Sequence, residues 1–244
     1  MQNLRLTLEY DGTEYHGWQV QPGLPTIQGT LEEAIKRISG EEVRITGAGR
    51  TDAGVHAVGQ VANFYTGKEM DATSWQRALN AILPPDIVVR GVEQVSEDFD
   101  ARRSAKHKTY RYSILHRADP SALDRRYLLH VPDPLDLGAM AEAATLLLGE
   151  HDFSAFRAAE CPASTPVRRV YEARFATEGE RFHFFITADA FLMHMVRIIV
   201  GTLLEVGTGK ITPADFREVL KSRDRGRAGK TVPPHGLCLL SVKY

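Results

Sequence analysis

Gly47-Ala48-Gly49-Arg50-Thr51-Asp52-Ala53-Gly54-Val55-His56-Ala57-Val58 separates two possible architectures for this 244-residue chain. If the glycines opened a helix, the chain would be a nucleotide-binding α/β protein, because backbone amides at a helix N-terminus cradle phosphates. The pattern does not allow it. A dinucleotide fingerprint needs a glycine where Asp52 stands, a nucleoside-triphosphate loop needs a lysine, and Val55 to Tyr65 reads as extended chain rather than helix. The stretch is therefore a tight loop between two strands, with small residues on either side of one arginine and one carboxylate.

Working outward from that loop, Val43 to Thr46 is strand-like and leads into it. Upstream, Thr26 caps a helix whose Ile27, Leu31, Ile35 and Ile38 recur at helical spacing and which Gly40 stops. Before that helix, Leu4, Leu6, Leu8 and Tyr10 alternate with polar residues as a half-buried strand that Asp11-Gly12 breaks. Downstream, Ser74 to Ile82 predicts a second helix ended by Pro84-Pro85, and Ile87 to Val89 predicts a strand. The order β-α-β-β-α-β is that of a ferredoxin-like unit.

The second half repeats the pattern without repeating the residues. A strand at His107 to His116 precedes a helix from Leu135 to Leu148, strands at Val167 to Thr177 and Arg181 to Asp189, and a helix from Phe191 to Val206. Thr212-Pro213 opens an extra helix, and Leu237 to Tyr244 is the last strand. The expected fold class is α+β, in two ferredoxin-like halves, residues 1–105 and 106–244, with a central cleft.

A hydrophobic content of 43% allows a well-buried core. Two cysteines far apart, Cys161 and Cys238, indicate neither a disulfide framework nor a zinc site, and fit a reducing cytoplasm. The longest apolar run, Phe191 to Val206, is broken by His194, Arg197 and Glu205, so no membrane span or signal peptide is expected. The net charge is −1, but acids dominate the first hundred residues and bases the remainder. Two basic clusters, Arg102 to Arg111 and Lys221 to Lys230, are able to neutralise phosphates or simply to solvate a face.

Asp52 is the residue that needs a chemical explanation. As a turn-former it would bond its own backbone; as a nucleophile it would be kept ionised by a nearby arginine. Arg50, Thr51 and His56 crowd more polar groups around it than a turn requires. Lys106-His107-Lys108-Thr109-Tyr110-Arg111-Tyr112 interleaves cations with aromatics, as suits nucleic acid, although an ordinary half-buried strand also fits. Arg197, inside an apolar helix, either reaches solvent or needs a carboxylate, for which Asp52 is a candidate.

Residues 47–56 resemble the signature of the TruA-type tRNA pseudouridine synthases. Tyr10 to Gln19, Lys108 to Tyr112, Gly149 to Phe153, Phe191 to Arg197 and Pro233 to Leu237 resemble further segments of that family, in the family's order. The resemblance implies a pseudouridine synthase fold with a mixed, mainly antiparallel sheet. It also implies a cytoplasmic homodimer that isomerises uridine to pseudouridine at positions 38, 39 and 40 of the tRNA anticodon stem-loop, without metal or organic cofactor. It makes Asp52 the catalytic aspartate, Arg50 its signature neighbour, Tyr110 the ring stacked on the target base and Arg197 the partner of Asp52. Lys106, Lys108 and Arg111 are the expected phosphate contacts.

Three positions depart from the family pattern, one of them Val232, which stands where alanine is common. Met193-His194 stands where two histidines are common, and Ile198 where an asparagine follows Met-Val-Arg. A non-catalytic RNA-binding protein would keep the cations and aromatics but has no need of Asp52 with Arg197. A glycoside or nucleoside hydrolase usually employs two carboxylates, and no second acid sits in a matching motif.

Overall fold

The computed structural model describes residues 1–244 and divides the chain into two compact units, Met1–Lys106 with Cys238–Tyr244, and His107–Leu237. Both mix α-helix with mainly antiparallel sheet.

In the first unit the strands are β1 (Gln2–Tyr10), β2 (Thr46–Gly47), β3 (His56–Thr66) and β4 (Ile87–Val95), with helices α1 (Ile27–Ser39) and α2 (Ala72–Ile82) between them. β1 lies antiparallel between β4 and β3, and β2 pairs with β3 on the far side, so the strand order is that of a ferredoxin-like unit. Leu4, Leu6 and Leu8 point to one side of β1 and are fully buried, as the period-two alternation requires. On the same core, Trp75 of α2 meets Phe64 of β3 edge-on, with ring centroids 5.4 Å apart. Thr26 caps α1 as expected, its hydroxyl accepting from the Gly29 N–H.

The strand expected at Val43 to Thr46 is reduced to β2. Glu32 and Gln28 of α1 take the backbone of Ile45 instead, Glu32 accepting from its N–H at 2.9 Å and Gln28 donating to its carbonyl at 3.2 Å. Side chains have replaced the ladder there.

The second unit holds β5 (His107–Leu115), β6 (Leu129–His130), α3 (Leu137–Thr145), β7 (Gly149–Asp152), β8 (Val167–Glu178), β9 (Arg181–Ala188), α4 (Met195–Gly207) and α5 (Pro213–Ser222). β9 pairs antiparallel with both β5 and β8, and β7 extends β8. Phe153, Phe156, Phe184 and Phe216 are fully buried in its core with Ile198, Ile199 and Leu203 of α4. The Thr212 and Asp215 side chains exchange bonds with each other's backbone to form the capping box of α5.

Several boundaries differ from the sequence reading, three of them with consequences for the site or the units. Helix α3 begins only after Asp136, whose carboxylate accepts from the Ala139 N–H. Helix α4 begins at Met195 rather than Phe191, because His194 adopts a left-handed conformation, φ 60°, and the Met195 N–H closes a turn onto the Leu192 carbonyl. The last strand, β10 (Leu237–Lys243), pairs parallel with β3 through Cys238 and Leu239, so residues 238–244 belong to the first unit, although the sequence order puts them in the second half.

Candidate active site

The Asp52 loop is fastened at nearly every residue that is not aspartate or arginine. The Ala48 N–H donates to the Val61 carbonyl at 2.7 Å, and the Gln60 amide donates to the Gly49 carbonyl at 2.9 Å. Thr51 is held twice: its carbonyl accepts from the Trp18 N–H at 3.0 Å, and its hydroxyl lies 2.8 Å from the hydroxyl of Tyr10. The Val55 N–H closes the turn onto the Asp52 carbonyl at 3.2 Å. Arg50 is exposed, Asp52 is half-buried and Thr51 is buried.

A second segment, Tyr10 to Trp18, forms the wall of this loop. A Cβ on Gly12 would lie 2.1 Å from the Val55 carbonyl oxygen, so only glycine lets the two backbones approach so closely. The Gly12 N–H donates to His56 Nδ1 at 3.1 Å, which ties the wall to the far end of the loop. The same nitrogen lies 3.1 Å from an Asp11 carboxylate oxygen, and when it accepts from Gly12 it has no proton to give Asp11. Burial pushes the Tyr10 phenol above the ordinary tyrosine range, although Thr51 and Gln60 oppose that shift, so Tyr10 is a neutral hydroxyl at the base of the loop.

In the second unit Tyr110 and Tyr112 share one face of β5, and Arg111 takes the other. Tyr110 is 7% exposed and meets Phe191 edge-on, with centroids 4.9 Å apart. The late start of α4 leaves Phe191 outside the helix, in position for that contact. Arg197, in the first turn of α4, donates from Nε to the Val232 carbonyl at 2.8 Å. Its charge acts on Tyr112, whose phenol burial raises and Arg197 opposes. The Tyr112 hydroxyl donates to the Pro233 carbonyl at 2.8 Å.

The sequence-predicted residues are thus distributed between the two units. Arg50 and Asp52 lie in the first, Tyr110 and Arg197 in the second. Lys106 ends the first unit, while Lys108 and Arg111 lie in the second on opposite faces of β5. The three cations therefore do not share a strand face. The second basic cluster is also partly spent on structure: Lys221 pairs with Glu218, Arg223 with Asp152, and Arg225 bonds backbone carbonyls. What the residue-by-residue reading missed was the structural use of Tyr10, Gly12 and His56. The signal for Tyr10 and Gly12 was the glycine and aromatic spacing of Tyr10 to Trp18, and for His56 only its place among the polar groups near Asp52.

A sequence profile described as tRNA pseudouridine synthase matches residues 7–102 and 143–244. The chain belongs to the tRNA pseudouridine synthase family. Among its relatives, tRNA pseudouridine synthase A of Caldicellulosiruptor bescii is 48% identical over the full length of both chains. tRNA pseudouridine synthase A 2 of Clostridium perfringens is 50% identical, again over the whole of both. The Myxococcus xanthus protein named tRNA pseudouridine synthase A is 49% identical across this whole chain and 92% of its own.

Proposed function

We propose that this protein isomerises uridine to pseudouridine at positions 38, 39 and 40 of the tRNA anticodon stem-loop. The observation that carries the proposal is the fixing of the loop that holds Asp52: the residues around it are pinned through Tyr10, Trp18 and Gln60. A site held this rigidly loses little by reorganising during reaction.

The chemistry asks for such a group. The N1–C1′ bond of the target nucleotide breaks, the freed uracil turns, C5 bonds to C1′, and the proton leaving C5 is balanced by one gained at N1. Nothing is oxidised or reduced, so no redox cofactor enters the balance. Asp52 either adds to C1′ as a nucleophile or takes the 2′ proton to give a glycal; both begin from the ionised carboxylate. The target base has to leave its stack first. Tyr110, on the edge of the Phe191 ring, is a flat platform against which uracil can be held while it turns. The family resemblance makes Arg197 the partner of Asp52.

The family resemblance supports a cytoplasmic homodimer. No helix is long and apolar enough to cross a membrane.

Chemical mapping of pseudouridine in an unmodified tRNA transcript incubated with the purified protein tests the proposal. Product at positions 38 to 40 with wild type and none with Asp52→Ala is expected. Undiminished product with Asp52→Ala would overturn it.

A further inference from the structure

Residues 228–233 form a strap laid along α4, and the approach is as close as backbones allow. A Cβ on Gly201 would lie 1.8 Å from the Lys230 carbonyl oxygen, and one on Gly229 would lie 2.8 Å from the Gly201 carbonyl carbon. The Gly229 N–H donates to the Thr202 hydroxyl at 2.9 Å. Three residues beyond Gly229, Arg197 and Val232 join from both sides: the Val232 N–H reaches the Arg197 carbonyl at 3.4 Å, and Arg197 Nε donates to the Val232 carbonyl at 2.8 Å. The Arg197 guanidinium is therefore fastened at Nε to a carbonyl that the strap places.

Arg225 sets the strap. Its Nη1 donates to the carbonyls of Ala228 at 3.2 Å and Gly229 at 3.1 Å, and its Nη2 donates to the Thr231 hydroxyl at 3.2 Å. One planar fork thus holds three residues of the strap, Ala228, Gly229 and Thr231, which a lysine, a single point of charge, is unable to do. From sequence Arg225 reads as one member of a phosphate-binding cluster. We infer that Arg225 is instead a positioning residue, which aims Arg197 by fixing the strap that carries the Val232 carbonyl.

The inference rests on the reading of Arg197 as a working residue of the site, and the two are tested separately. Arg225→Lys, Arg225→Gln and Arg197→Ala are compared with wild type by single-turnover rate at saturating tRNA, by tRNA affinity, and by the salt dependence of that affinity. Positioning predicts a rate about tenfold lower in both Arg225 variants, with affinity and salt slope unchanged. It also predicts that Arg197→Ala/Arg225→Gln is no slower than Arg197→Ala alone, since the two residues act through one group.

A phosphate contact predicts the reverse: a normal rate in Arg225→Lys, and weaker, less salt-sensitive binding in Arg225→Gln. That pattern overturns the inference, as do wild-type rates in both Arg225 variants beside a slow Arg197→Ala. A fully active Arg197→Ala removes the underlying reading, and the inference falls with it. If the Arg225 variants do not fold, Thr231→Val removes only the Nη2 contact; a rate severalfold lower at unchanged affinity supports the positioning role, and an unchanged rate overturns it.

Discussion

The phenolic oxygen of Tyr10, the last residue of β1, lies 2.8 Å from the hydroxyl of Thr51, the residue immediately before Asp52. A buried bond between a core strand and the loop thus sets the height from which the carboxylate projects.

Tyr10→Phe removes that bond and leaves the buried Thr51 hydroxyl without it. The cost of such an orphaned group is about 1–3 kcal/mol. Denaturant unfolding should show a loss of that size, and single-turnover modification should slow while tRNA affinity holds. Unchanged stability would show that the contact contributes nothing.

The same phenol makes a prediction about alkaline pH. Burial raises the pKa of Tyr10, Tyr112 and Tyr244 above the ordinary value, and burial with the Asp86 carboxylate does so for Tyr15. Above about pH 10 the unfolded chain releases these protons and the folded chain keeps them. Stability is therefore unaffected below that pH and falls as the pH rises past it. Unfolding free energies measured on either side of about pH 10 should decline on the alkaline side, and less steeply in Tyr10→Phe. A flat profile in the wild type would contradict the burial of these hydroxyls.

A glycine with open space around it should tolerate a change to alanine, whereas Gly12→Ala should damage the site. Its new methyl would fall 2.1 Å from the backbone carbonyl of Val55, which cannot swing aside without moving the loop. The expected destabilisation is about 1–3 kcal/mol, with a larger loss of turnover. Gly91→Ala on β4 is the control: a Cβ there meets nothing within 4 Å, and the change should stay within about 0.5 kcal/mol. Equal effects at the two positions would refute the close approach.

Lys108 and Arg111 should separate in binding assays, because the pleat of β5 turns them to opposite faces. Lys108 shares the face of Tyr110, so Lys108→Ala should weaken tRNA binding and lower its salt slope by about one. Arg111 sits opposite Phe185 of β9 with its Nε buried and without a hydrogen-bond partner. Arg111→Ala should leave the salt slope unchanged. The opposite assignment of slopes would mean that tRNA lies against the other face.

Much of the fold was legible in the chain because hydrophobic periodicity is a local property. Leu4, Leu6, Leu8 and Tyr10 alternate and form β1; Ile27, Leu31 and Ile35 recur at helical spacing and form α1; Thr26 and Thr212 cap where caps were expected. What periodicity missed was set by partners distant in sequence. Gly149–Asp152 carries no alternating apolar signal, and becomes β7 because the edge of β8 offers it a ladder. Val43 to Ile45 has strand propensity and lies outside the strand, because Glu32 and Gln28 take the Ile45 backbone.

The site divides along the same line. Sequence by itself determined that Asp52 belongs to a tight loop rather than a phosphate cradle, since a glycine motif that continues into extended chain cannot open a helix. It also determined which residues carry the family signature. Tertiary structure alone decided that Tyr10 supports Thr51 from 41 residues away. It likewise turned His194 to the left-handed region, so that Phe191 is freed to meet Tyr110. It spent Arg225 on carbonyls as well, where composition offered a free cation. The reason is physical: a charge or a hydroxyl advertises what it can bond, and only the folded chain determines which partner is within 3 Å.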